Sequence, residues 1–139
     1  MNGGPLEGRR ILIIEDNEEN IRLFRAILRL EGAAEVLEAN RAQVGIEMAE
    51  QLQPDLILMD IQMPDMDGLT ATRVLRADTK TSTIPIVAVT ASVTEKDRRE
   101  VMEAGCDEHI SKPIDPAVFG QQIAAHLKAP LTQAPANQD

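Results

Sequence analysis

Four short segments of this 139-residue chain each run into a polar residue, two of them into carboxylates, one into a hydroxyl and one into an ammonium. Ile11 to Ile14 leads into Glu15-Asp16, Leu56 to Met59 into Asp60, Ile86 to Val89 into Thr90, and Glu108 to Ser111 into Lys112-Pro113. If these segments are parallel strands of one sheet, their carboxyl ends open at one edge, so groups far apart in sequence converge there. Three carboxylates, a hydroxyl and an ammonium in one crevice have the makeup of a metal-assisted phosphoryl site.

Positioning them requires strands and helices to alternate. After the first apolar run, Asn17 to Leu30 puts Ile21, Phe24, Ile27 and Leu28 on one helical face, and Gly32 supplies a left-handed stop. Glu35 to Ala39 reads as a partly polar edge strand. It is followed by a helix with Val44, Met48, Ala49 and Leu52 as its apolar positions, ending before Pro54. Leu56 to Met59 is continuously apolar, as expected of a central strand buried on both faces. A loop through Met63-Pro64 to Gly68 and a weaker helix over about Leu69 to Arg76 precede the strand at Ile86. Thr94 with Asp97 three residues on predicts a capped helix to about Ala104, closed by Gly105. Asp115 and Pro116 then start a last helix with Phe119, Ile123 and Leu127 as its stripe.

Five such βα units with right-handed crossovers make an α/β fold: a doubly wound, five-stranded parallel sheet in the order 2-1-3-4-5. Its switch point falls between the first and third strands, which end in Glu15-Asp16 and Asp60. Fold logic and carboxylate placement therefore select the same crevice.

Composition bounds the function. The chain is 43% hydrophobic and 27% charged, which suits one domain with one core. A formal net charge of -9 opposes binding to nucleic acid or anionic lipid. Phe24 and Phe119 are the only Phe, Tyr or Trp residues, so stacking platforms for single-stranded nucleic acid are missing and intrinsic fluorescence cannot report binding. A single cysteine, Cys106, with neither a signal peptide nor a long apolar span, reads as cytoplasmic. Residues 1–8 read as a leader and 129–139 as a tail, both disordered and supplying no core.

Taken singly, each polar residue has a plainer explanation. Asp60 could be a loop carboxylate, Thr90 a β-branched strand residue and Lys112 a solvated charge, while Glu15 and Asp16 could serve the dipole of the following helix. Their joint spacing favours a site. Cys106 and His109 could suggest a nucleophile and base, but strand placement would point them to opposite faces, so a small packed thiol is preferred. Asp65 and Asp67 read as turn formers beside Gly68, and His126 as a surface residue.

The ordered motifs Ile-Ile-Glu-Asp-Asn at 13–17, Leu-Met-Asp-Ile-Gln-Met-Pro at 58–64 with Asp67-Gly68, Val-Thr-Ala at 89–91 and Ser-Lys-Pro-Ile at 111–114 carry a resemblance. Over residues 9–128 the chain resembles the receiver domain of two-component response regulators, with the flavodoxin/CheY-like (βα)5 fold. Glu-Asp-Asn-Glu-Glu-Asn at 15–20 and the run from Gly105 to Ile114 look most like stand-alone, single-domain regulators of the DivK type.

The resemblance implies roles that the chemistry of each residue can meet. Asp60 would be the phosphoacceptor, forming an acyl phosphate from a phosphohistidine. Asp16 and Asp60 would bind Mg²⁺ directly, Glu15 through water, and Gln62 through its backbone carbonyl. Lys112 would be the counter-charge, with Thr90 and the Ala91 N–H donating to the phosphoryl group. Gln62 and Ser92 would flank the path of attacking water, and Lys112-Pro113 would be a cis peptide. Movement of Thr90 toward the phosphoryl group would let the side chain at 109 swing inward. That position is usually Tyr or Phe in the family and is His109 here, so switching should weaken as the imidazole becomes protonated.

Two other classes of function compete. A haloacid-dehalogenase-like phosphohydrolase needs an acid two residues after its nucleophile, where this chain has Gln62. A receiver-like binding module that is never phosphorylated would not need Asp16, Asp60, Thr90 and Lys112 together. The expectation is thus a signalling switch that catalyses its own phosphorylation and dephosphorylation rather than a metabolic enzyme. With no output domain after Lys128, it would signal through contacts with sensor histidine kinases, phosphotransfer proteins or a downstream effector. The first helix and the face around the last strand would serve; Arg98, Arg99 and Glu103 could mark the latter, although solvated surface charge is the stronger reading of them. The protein is expected to be a monomer that phosphorylation could pair, with no nucleic-acid or membrane partner.

Overall fold

The computed structural model describes residues 4–91 and 94–128, so Ser92 and the segment 129–139 lie outside the described residues. Strands and helices alternate: β1 (Arg10–Ile14), α1 (Glu18–Leu30), β2 (Glu35–Ala39), α2 (Ala42–Leu52), β3 (Leu56–Asp60), α3 (Gly68–Ala77), β4 (Ile86–Thr90), α4 (Glu95–Ala104), β5 (Glu108–Ser111) and α5 (Pro116–Ala124). The sheet has the expected order β2-β1-β3-β4-β5, with every pairing parallel.

Side-chain alternation along the strands divides the core in two. Leu12, Ile14, Ile57, Met59, Ile86 and Ala88 face the layer of α2, α3 and α4. Ile11, Ile13, Leu56, Leu58, Val87 and Val89 face α1 and α5. β3 and β4 are buried at every position, which is why they read as unbroken apolar runs. On the second face Phe24 stacks on Phe119, ring centroids 5.7 Å apart, joining α1 to α5.

Helix starts follow their local chemistry. Asn17, Asp67, Thr94 and Asp115 each accept a backbone N–H within the first turn of α1, α3, α4 and α5. Gly32 at φ 103° and Gly105 at φ 118° occupy the left-handed region after α1 and α4.

Two expectations need correction. α2 buries Ala42, Gly45, Ile46 and Ala49, with Met48 packed beside them, so of the four expected apolar positions Ala49 and Met48 face the core while Val44 and Leu52 are exposed. A Cβ at Gly45 would stand 2.4 Å from Ile14 Cδ1, so the glycine lets α2 lie close on β1 and thereby sets which face is inward. The leader also supplies core after all. Leu6 is fully buried among Phe24, Ile27 and Leu28, and its N–H donates to the Glu31 carbonyl at 2.9 Å.

Candidate functional site

β1 and β3 lie side by side, with Ile14 opposite Met59, so the residues that follow them meet at one sheet edge. Glu15 is 1% exposed and Asp60 7% exposed, while Asp16 is open to solvent. One oxygen from each of these three carboxylates lies within 4.8 Å of the others. Like charges about 4 Å apart repel by about 4 kcal/mol at an effective dielectric near 20, so this gathering needs counter-charge.

Lys112 supplies part of it. Its Nζ lies 3.2 Å from Glu15 Oε1 and 3.6 Å from Asp60 Oδ1. The lysine follows β5 at a cis Lys112–Pro113 peptide, and its backbone N–H donates to the Thr90 carbonyl at 2.8 Å. Burial and the neighbouring Glu15 charge push the Asp60 carboxyl up to about 6, against the opposing pull of Lys112 and of the Gln62 N–H. That N–H donates to Asp60 Oδ1 at 3.3 Å.

Glu15 is committed on both oxygens. Oε1 takes Lys112, and Oε2 accepts from the Asn17 N–H at 3.2 Å and from Asn20 Nδ2 at 3.3 Å. The first turn of α1 therefore aims this carboxylate.

Thr90 ends β4 and is 2% exposed, and Ala91 follows it at the surface. Leu23 and Phe24 of α1, with Ala91, Lys112 and Pro113, line a cavity of about 330 Å³ beside the carboxylates. His109 is half-buried on β5 opposite Ala88, and Thr90 lies opposite Ser111, so Thr90 and His109 share one face of the sheet on adjacent strands. Among the described residues, the buried His109 Nε2 has no hydrogen-bond partner.

Cys106 lies before β5 and is 5% exposed, its Sγ 3.6 Å from Thr72 Oγ1. Burial pushes the thiol up, as befits a packed residue rather than a nucleophile. His126 is not a free surface residue; it is half-buried, with Nε2 against Glu108 Oε1.

The loop between β3 and α3 carries roles beyond turn formation. The Gly68 N–H donates to the Ile61 carbonyl at 2.6 Å, and a Cβ there would stand 2.6 Å from the Asp60 carbonyl oxygen. Asp65 reaches across to α2, accepting from the N–H groups of Ala42 at 2.9 Å and Gln43 at 3.0 Å. Neither the bond of Asn20 to Glu15 nor the reach of Asp65 to α2 was expected. The available signal for Asp65 was Arg41, a poor cap at the start of α2, which implies that a cap comes from elsewhere.

Comparison with known proteins agrees with this geometry. The family model described as the response regulator receiver domain matches residues 11–124. The polar-differentiation response regulators DivK of Brucella anthropi and Brucella ovis are each 37% identical over 119 residues, covering 86% of this chain and 96% of theirs. The receiver domain of the sensor histidine kinase PA1611 from Pseudomonas aeruginosa PAO1, solved with a magnesium ion coordinated in its active site cleft, is 34% identical. It superposes with a TM-score of 0.78 over 86% of this chain and 97% of its own. The chemotaxis protein CheY4 of Vibrio cholerae, 21% identical with a TM-score of 0.80 over 86% of this chain and 99% of its own, shares the fold. With the fold, the acidic edge and the motif set in agreement, this chain belongs to the response regulator receiver domain family, the phosphoacceptor switches of two-component signalling.

Proposed function

We propose that Asp60 is the phosphoacceptor of this switch. The observation that carries the reading is the meeting of three carboxylates within 4.8 Å, with Lys112 reaching two of them, at the carboxyl edge of a parallel sheet. An Asp60 oxygen attacks the phosphorus of a phosphohistidine, an O–P bond forms, and the P–N bond breaks with its electron pair left on the imidazole. Hydrolysis of the acyl phosphate later restores the carboxylate.

The donor set fits a hard divalent ion that retains waters, since it offers oxygens only and an excess of negative charge. Asp16, Asp60 and the Gln62 backbone carbonyl would hold Mg²⁺. Glu15, whose oxygens already serve Lys112, Asn17 and Asn20, would act through water. When bound, the ion supplies positive charge against the carboxylates and the incoming phosphoryl oxygens. Lys112 holds Asp60 and then a phosphoryl oxygen, while the Thr90 hydroxyl and the Ala91 N–H donate to the others. Thr90 drawn inward leaves room for His109 on the same face, and α4, β5 and α5 present the altered surface.

We further propose that residues 9–128, extended by Leu6, act in the cytoplasm as a switch of the DivK kind, a reading supported by the match over 96% of the length of those relatives. Phosphoryl donors, whether histidine kinases or phosphotransfer proteins, dock over the cavity between α1 and the turn after β5, and a downstream effector binds the altered surface. Among the described residues no helix is long and apolar enough to cross a membrane. The test is intact-mass measurement after incubation with a small phosphodonor and Mg²⁺. The wild type should gain one phosphate and Asp60→Asn none; labelling of both would refute the assignment.

A further inference from the structure

α2 begins without a cap of its own. Arg41 holds the N-cap position at φ -142° and ψ 148°, extended backbone suited to a cap, yet its side chain makes no capping bond. The orphaned N–H groups of Ala42 and Gln43 are met by Asp65, 23 and 22 residues further along, one on each carboxylate oxygen. These two bonds hold the Asp65 carboxyl below the usual carboxylate range.

This bridge does more than finish a helix. Asp65 sits in the loop that leaves Asp60 and passes through Gln62 before α3 begins. Elsewhere Ile61, Met63 and Met66 pack, partly buried, against the core, while the loop's hydrogen bonds run to itself and to α3, by Gly68 to Ile61 and by Asp67 to the Thr70 N–H. Asp65 ties it to a different element. We propose that Asp65 is a positioning residue: by clamping the loop to the start of α2 it fixes where the Gln62 backbone carbonyl stands, and so sets the affinity of the acidic cleft for a divalent cation. The inference rests on the reading of that cleft as a Mg²⁺ site. A loop released from the clamp samples more conformations, which must be given up whenever the carbonyl serves as a ligand.

Two variants separate positioning from mere capping. D65A removes the clamp and the cap together. D65A/R41S gives α2 a cap of its own and keeps the net charge of the wild type, because one negative and one positive charge are lost. The measurements are Mg²⁺ titration by calorimetry and amide hydrogen exchange in the first turn of α2 in metal-free protein. The wild type binds Mg²⁺, and D65A binds it about tenfold more weakly, as for loss of a group that orients a ligand. D65A/R41S regains slow exchange in α2 while its Mg²⁺ affinity stays weakened, and it carries the test alone should D65A not fold. The inference is overturned if D65A binds within about twofold of wild type, or if R41S restores the affinity. A wild type that fails to bind Mg²⁺ instead overturns the reading of the cleft, and this inference with it.

Discussion

Replacing Asp60 by Asn should stabilise the metal-free protein at neutral pH. Burial and Glu15 raise the carboxyl from its ordinary 3.8 to about 6, so the folded state resists the ionised form. At about 1.4 kcal/mol per pH unit, an ionised Asp60 costs the fold about 3 kcal/mol. The folded value lies above the unfolded one, so this cost is complete above pH 6, shrinks as the pH falls toward 3.8, and is absent below that. The amide keeps the shape and removes the charge. The assay is urea unfolding followed by circular dichroism, with EDTA present, from pH 4 to pH 8. The stability difference between D60N and wild type isolates Asp60 from other titrating groups. It should approach about 3 kcal/mol at pH 7.5, a midpoint shift of about 1–3 M urea, and close toward zero near pH 4. Adding Mg²⁺ should favour the wild type, since a ligand that binds only the folded state stabilises it by mass action. A D60N protein no more stable than wild type at pH 7.5, or a difference that widens on acidification, would refute the electrostatic account of the site.

Two further perturbations probe what surrounds it. Gly68→Ala places a Cβ 2.6 Å from the Asp60 carbonyl oxygen, so backbone must shift; we expect about 1–3 kcal/mol lost in urea unfolding and slower phosphorylation in the mass assay, whereas unchanged kinetics would argue against tight packing there. Leu6→Ala hollows the core between the leader and α1 and should cost about 2–5 kcal/mol in the same unfolding assay, while a near-neutral result would mean that Leu6 is not docked in solution.

What could be read in advance follows from how local each cause is. The central strands β1, β3 and β4 showed as apolar runs, and Thr94, Gly105 and Asp115-Pro116 mark helix ends within a turn of themselves. The groups gathered around Asp60 were legible because a parallel sheet brings every strand's carboxyl end to one rim. The inward face of α2 was not, since Val44 and Leu52 are as well spaced as Ala42, Ile46 and Ala49. The choice is made by Gly45 meeting Ile14, a contact between elements. Asp65 read as a turn former, and its hold on α2 was not foreseen because its partners lie more than twenty residues away. Leu6 stood alone among glycine and proline, with no periodicity to announce burial. His126 keeps part of its side chain at the surface, and its contact with Glu108 was not foreseen because Glu108 belongs to another element.

The stacked pair of Phe24 and Phe119 has a spectroscopic corollary. In a chain with no Tyr or Trp, strong ring currents arise at one place, so displaced methyl resonances in a proton spectrum report the aliphatic neighbours of these two rings. Those signals form a built-in gauge of whether α1 and α5 remain docked, readable without any label or introduced probe.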